Sequence, residues 1–186
     1  MDRLKILKQP ATYNKQPTLS KPLEEKKMKI MRAQRELCSG CEMCLLACSL
    51  AKTGTVNPLL ARIRVTHTEA GLSNPVMCRH CKNAPCLDAC PIPGAMNSEP
   101  QTGVILVDEE KCTCCLDCVD ACPFGAIWVT PERDILKCDL CGGDPACVKY
   151  CPPRPDHSLP HLDFKEQSCL QYRDAHTIGK DRSKIQ

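Results

Sequence analysis

Residues 112–123 read Cys-Thr-Cys-Cys-Leu-Asp-Cys-Val-Asp-Ala-Cys-Pro, five thiols within eleven residues closed by a proline. With Cys114 set aside, the frame is Cys112-x2-Cys115-x2-Cys118-x3-Cys122-Pro123, and its punctuation returns three more times. A first group is Cys38-x2-Cys41-x2-Cys44-x3-Cys48. A second is Cys78-x2-Cys81-x4-Cys86-x3-Cys90-Pro91, and a fourth is Cys138-x2-Cys141-x5-Cys147-x3-Cys151-Pro152. Four groups of four take 16 of the 18 cysteines, leaving Cys114 and Cys169.

Such a repeat carries the bacterial ferredoxin run, in places with a longer third spacer. Three cysteines on a tight loop can turn inward onto one cubane, whereas the x3 step carries the fourth about one helical turn away. In two-cluster ferredoxins that fourth thiolate serves the other cluster, so the groups are expected to work in pairs. The proline that follows ends the short helix because it has no N–H and restrains the residue before it. Zinc is the rival, since C-x2-C pairs also build zinc ribbons. It is disfavoured because each group supplies a third and fourth cysteine and no histidine pair stands at finger spacing.

Between the groups, Arg62–Thr66 alternates, Gly103–Val107 is an apolar run and Ala126–Val129 follows Pro-Phe-Gly; all three read as strands. Helical stretches carry the cysteines at Cys44–Ala51, Cys115–Cys122 and Pro145–Cys151. Strand, loop, helix, strand is a small α+β unit, and the chain has enough of it for two.

An aromatic content of 3% leaves an ordinary apolar core thin, so disulfides or metal must supply what burial cannot. The N-terminal stretch Met1–Lys8 has neither an apolar export core nor twin arginines, so the chain is expected in the cytoplasm, where thiols stay reduced and repeated Cys spacings point to metal. No apolar run approaches bilayer length, so no direct membrane insertion is expected. The net charge of +3 conceals an asymmetry: residues 1–36 hold 10 Lys/Arg against 4 Asp/Glu. Pro10, Pro17 and Pro22 make this an extended arm that wraps a partner or faces water, not a nucleic-acid-binding block.

Over residues 29–152 the chain resembles the four-cluster ferredoxin-type iron-sulfur (beta) subunits of molybdenum and tungsten oxidoreductases, the DMSO reductase iron-sulfur subunit family. CRHCKNAPCLDACP, VDEEKCTCCLDCVDACPFGAI and KCDLCGGDPACVKYCP match that family's second, third and fourth groups, and CSGCEMCLLACS, without a closing proline, its first. The resemblance implies four [4Fe-4S] clusters with group one paired to group four and group two to group three. One cluster would take Cys38, Cys41, Cys44 and Cys151, and its neighbour Cys138, Cys141, Cys147 and Cys48. In the other module Cys78, Cys81 and Cys86 would join Cys122, and Cys112, Cys115 and Cys118 would join Cys90. The expected fold is thus α+β, two bacterial-ferredoxin-like 2[4Fe-4S] modules with the second inserted into the first. The first occupies 29–66 and 125–155 and the second 67–124, with a basic extended arm at 1–28 and a C-terminal tail at 156–186. The chain lacks the hydrophobic C-terminal helix of membrane-attached relatives. It is more similar to compact electron-transfer subunits of tungsten enzymes of the aldehyde ferredoxin oxidoreductase type, benzoyl-CoA reductase of anaerobic bacteria among them.

Cys114 stands where such runs usually have Gly, and reads as a small side chain tolerated by the loop, not a competing ligand. Pro-Pro-Arg-Pro after Cys151 puts in doubt the strand that usually follows. His157, His161, Cys169 and His176 match no compact metal motif. Arg79, His80 and Lys82 either raise a nearby cluster's potential or face water; position leaves both open. No P-loop, dinucleotide fingerprint or radical C-x3-C-x2-C triplet is present, so catalysis is assigned elsewhere. The expected role is a non-catalytic electron-transfer subunit relaying single electrons to or from a catalytic tungsten or molybdenum subunit, with a further donor or acceptor subunit as second partner. The alternative is a free polyferredoxin acting as a diffusible carrier.

Overall fold

A computed structural model of the chain describes residues 29–153 and 168–174. The basic arm at 1–28 and the tail histidines His157, His161 and His176 lie outside the described residues. Helices and strands are mixed, as expected, but among the described residues the strands come in antiparallel pairs: β1 (Lys29–Ala33) with β8 (Leu170–Asp174), β2 (Ile63–His67) with β3 (Ser73–Met77), β4 (Met96–Ser98) with β5 (Ile105–Val107), and β6 (Ile127–Val129) with β7 (Ile135–Lys137). Three of these pairs are hairpins. Their turns close through Thr68 N–H to Leu72 O (2.9 Å), Gly103 N–H to Glu99 O (2.8 Å) and Thr130 N–H to Asp134 O (2.9 Å).

The longest helix, α1 (Met43–Thr53), buries Cys44, Leu45, Cys48 and Ser49 along one face. It ends where Gly54 turns left-handed at φ 72° and donates to Leu50 O (2.9 Å), a C-cap suited to a residue without Cβ. The other α-helices are single turns: α2 (Pro85–Asp88), α3 (Asp117–Asp120) and α4 (Ala146–Lys149). The helix expected over Cys115–Cys122 is shorter because Leu116 is left-handed at φ 75° and cannot join the ladder. Pro145, extended at the start of α4, trims that helix in the same way.

Two cores result. In the first, α1 packs on α4, and Met31, Leu37, Leu45, Ile63, Met77, Leu140 and Leu170 surround Cys44, Cys48, Cys138 and Cys147. In the second, α2 packs on α3, and Met96, Ile105, Ile127 and Ile135 surround Cys86 and Cys118. The hairpin of β6 and β7 thus gives side chains to the second core, while Cys78 lies in the first.

The strand left in doubt after Cys151 is displaced rather than lost. Pro153 bridges Ser168, and β8 then runs along β1 in the register Lys29 to Asp174. This seals the first core with Leu170 and Cys169, both fully buried. Leu170→Ala should leave a cavity and lower the unfolding free energy by about 2–5 kcal/mol. Anoxic denaturation of the metal-loaded chain, followed by circular dichroism, measures it; a midpoint unchanged from wild type would show that β8 does not seal the core.

Candidate functional site

Each cysteine group is a loop whose backbone is forced out of ordinary conformations. Two residues after the first cysteine the chain turns left-handed in all four groups: Gly40 (φ 71°), His80 (46°), Cys114 (51°) and Leu140 (56°). This turn brings the next cysteine round beside the first. At two of these positions it also aims the residue's own N–H at the preceding sulfur: His80 N–H reaches Cys78 Sγ and Leu140 N–H reaches Cys138 Sγ, both at 3.4 Å. For a side chain with a Cβ this region costs about 1–2 kcal/mol. Only Gly40 avoids the cost, and it has a second reason to be glycine: a Cβ there would lie 2.5 Å from Ser73 Oγ.

The loops bring the thiols together across the sequence. Cys38, Cys41, Cys44 and Cys151 line one pocket, partly open to solvent. Cys78, Cys81, Cys86 and Cys122 line a second. Cys90, Cys112, Cys115 and Cys118 line a third. Cys48, Cys138, Cys141 and Cys147 form a fourth set, in which the charges of Cys138, Cys48 and Cys141 would all oppose ionisation of Cys147. Cys114 lines the third pocket and Cys169 the first, so the two cysteines outside the frame both lie against a thiol set.

Burial pushes Cys44 up to about 12, with Cys151, Cys38 and Cys41 adding to the shift. Cys138, almost wholly enclosed, is likewise pushed up to about 12 by burial and then by Cys78, against the N–H of Leu140. Cys118 reaches about 11 through burial and the nearby Cys112 and Cys115. Cys169 is raised well above the usual thiol range by burial, Cys38 and Cys151. Such thiols stay protonated unless a cation replaces the proton. Further backbone N–H groups donate to sulfur: Arg62 to Cys48 (3.2 Å), Leu170 to Cys151 (3.4 Å) and Ala126 to Cys122 (3.4 Å).

The charged neighbours sort by depth. Arg79 is exposed and stacks over Phe124 at 3.9 Å, both at the wall of the second pocket, while Lys82 faces solvent. His80 is buried. Asp139, between two cysteines of group four, is bound by Lys52 (2.5 Å) and by the Cys141 N–H (3.1 Å). Burial would raise its pKa, but these bonds and Arg62 hold it below the usual carboxylate value.

Among the described residues no three Cys, His, Asp or Glu side chains converge as ligands of one metal ion would. The thiols instead ring wider pockets. Four soft sulfur donors so arranged fit a polynuclear iron-sulfur cluster better than a single tetrahedral zinc. Sequence reasoning gave no sign of the burial of Cys169; the alternation in Leu170-Gln171-Tyr172 was the one available hint of a strand there.

The 4Fe-4S dicluster domain family matches residues 70–156. The polyferredoxin-like subunit of an aliphatic sulfonate oxidoreductase from Pyrococcus furiosus is 42% identical over 116 residues, covering 61% of this chain and 66% of that one. The thiosulfate reductase electron transfer subunit PhsB of Salmonella typhi is 31% identical over 139 residues, 66% of this chain and 71% of its own. The chain spans just under two thirds of the Pyrococcus relative and 26% and 20% of two longer ones. In the active site complex BamBC of benzoyl coenzyme A reductase, a chain of 21% identity superposes with a TM-score of 0.41, covering 85% of this chain and 91% of that one.

Replacing either extra thiol separates ligand from bystander. Cys114→Ala and Cys169→Ala should each keep the iron content of the wild type, whereas Cys115→Ser should lose part of it. Iron and sulfide assay of the anoxically purified chains decides, and loss of iron in Cys114→Ala would make Cys114 a ligand.

Proposed function

The chain belongs to the 4Fe-4S dicluster ferredoxin family, and on that premise we propose that it is an electron-transfer subunit holding four [4Fe-4S] clusters for a separate catalytic oxidoreductase. The observation that carries this reading is the grouping of sixteen cysteines into four sets of four. The proposed ligand sets are Cys38, Cys41, Cys44 and Cys151; Cys48, Cys138, Cys141 and Cys147; Cys78, Cys81, Cys86 and Cys122; and Cys90, Cys112, Cys115 and Cys118. Each set crosses between two groups, as expected if the module of groups two and three is inserted into that of groups one and four. A bound [4Fe-4S] cluster supplies reversible one-electron chemistry at a potential tuned by charge, hydrogen bonds to sulfur and exposure.

The sets also have an order. Cys86 is close enough to Cys118 to oppose its ionisation, Cys78 acts in the same way on Cys138, and Cys44 on Cys147. With Cys86 and Cys118 sharing the second core and Cys78, Cys138, Cys44 and Cys147 the first, the proposed order runs from the Cys115 set through the Cys81 and Cys141 sets to the Cys41 set. Of all the cysteines only Cys41 and Cys115 are exposed, and they belong to the two ends. A relay that takes an electron at one end and delivers it at the other needs that arrangement.

Since an oxidised cluster with its thiolates carries about −2, four would bring the chain from +3 to roughly −5. The basic arm at 1–28 is then suited to an anionic surface, its own or a partner's. The partner is proposed to be a molybdenum or tungsten subunit in the cytoplasm; among the described residues no helix is long and apolar enough to cross a membrane.

Tagged chain recovered without oxygen from its native host should bring with it a large polypeptide containing molybdenum or tungsten, and should contain about 16 Fe. Recovery as an iron-loaded monomer would instead favour the diffusible carrier, and a folded chain without iron would remove both. Deleting residues 2–28 should weaken complex recovery while leaving iron content unchanged. Stripping the iron with a chelator under reducing conditions should abolish the far-ultraviolet circular dichroism of the folded chain, because ligand binding and folding are one equilibrium in small metal-organised domains.

A further inference from the structure

Where the second and fourth thiol sets meet, one residue of β5 is bonded at both its N–H and its C=O by side chains from distant parts of the chain, a cysteine loop and the end of β7. Ile105 N–H donates to His80 Nδ1 at 3.1 Å, and Ile105 O accepts from Lys137 Nζ at 2.6 Å. His80 is 3% exposed and Lys137 4%. Because Nδ1 accepts a hydrogen bond, the ring proton resides on Nε2. That Nε2 is out of contact with solvent and has no hydrogen-bond partner, in a ring that forms part of the wall of the pocket of Cys78, Cys81, Cys86 and Cys122. A buried N–H without an acceptor costs about 1–3 kcal/mol, so its retention at this wall calls for an acceptor. Lys137 precedes Cys138 of the fourth set in the chain, and the Ile105 whose carbonyl it binds lines the pocket of the second.

We propose that His80 Nε2–H donates a hydrogen bond to sulfur held in this pocket and that Lys137 places a fixed positive charge beside it. Together they make this inner position of the relay the more easily reduced of the two inner ones. An added electron increases the negative charge on sulfur, and both a donated N–H and a nearby ammonium stabilise that charge. In the dry interior neither is screened as it would be at the surface. The same contacts explain why the left-handed position of group two is held by histidine rather than glycine: a glycine would supply neither the ring nor its proton. Arg79 and Lys82, the cations of this loop, are exposed and therefore weaker influences.

This inference rests on the proposed cluster sites, so iron content is read first. Full-length chain is then titrated anoxically by electron paramagnetic resonance at poised potentials. His80→Leu and Lys137→Met should each make one-electron reduction of a single site about tenfold less favourable, about 59 mV in midpoint, and leave the other sites unmoved. His80→Gln and Lys137→Arg, which keep a donor and the charge, should recover part of the shift. If either variant fails to take up iron, wild-type chain labelled with ring-15N histidine supplies the second measurement: one reduced site should show a nitrogen coupling, and its absence overturns the histidine contact. Iron-loaded variants with every midpoint at the wild-type value overturn this inference alone, whereas a folded chain without iron removes the premise beneath it.

Discussion

Ionisation of crowded, buried sulfur is the constraint on which the rest depends. In the metal-free chain, burial raises the proton affinity of thiols such as Cys44 and Cys138, and every neighbouring thiol raises it further. Such a set gains nothing from being brought together unless cations replace the protons. The apolar side chains around it cannot compensate alone: in the second core they are chiefly Met96, Ile105, Ile127 and Ile135, with Ala84 beside them. In the proposed cluster-bound chain, metal binding and folding are therefore coupled, as in other small domains whose ligands come from distant segments. The backbone N–H groups on Cys48, Cys138 and Cys151 act in the same direction, since each favours thiolate over thiol.

The x2 spacing follows from the same demand. Two consecutive sulfurs can face one pocket only if the chain between them reverses tightly, and a left-handed residue is the economical way to do it. Three of the four groups place a side chain there at a conformational cost, and each side chain has a use. Leu140 is fully buried in the first core, Cys114 fills the wall of the third pocket, and His80 binds the β5 peptide. Gly40 is glycine because Ser73 occupies the space.

The cysteine frame was legible because it is local in sequence: the x2, x2 and x3 steps state which residues share a loop, and the structure brings thiols of different groups to common pockets. Strands β2, β5 and β6 were legible within a residue or two from alternation or apolar runs. What escaped is non-local. β8 pairs with β1 across nearly the whole chain, and its five residues, Leu-Gln-Tyr-Arg-Asp, contain too few apolar positions to announce a strand. Nor could the sequence show that Lys137, one residue before a cysteine, turns into the interior. A lysine is rarely buried without a partner, and its partner is a backbone carbonyl 32 residues away, which no residue pattern records.

The interior lysine and histidine also bear on why two cores are joined so closely. If each were an independent unit, Cys78 would lie in its own core; it sits instead in the first, beside Cys138. The hairpin of β6 and β7 crosses in the opposite sense, giving Ile127 and Ile135 to the second core while Lys137 leads into the fourth cysteine group. These exchanges fix the separation of the two inner thiol sets through covalent chain and packed side chains rather than through a flexible linker. Electron transfer between centres falls steeply with distance, so the proposed relay would benefit most from rigidity at this middle junction. At the ends, by contrast, Cys41 and Cys115 are exposed, and the spacing to the next centre can be set by whatever docks there.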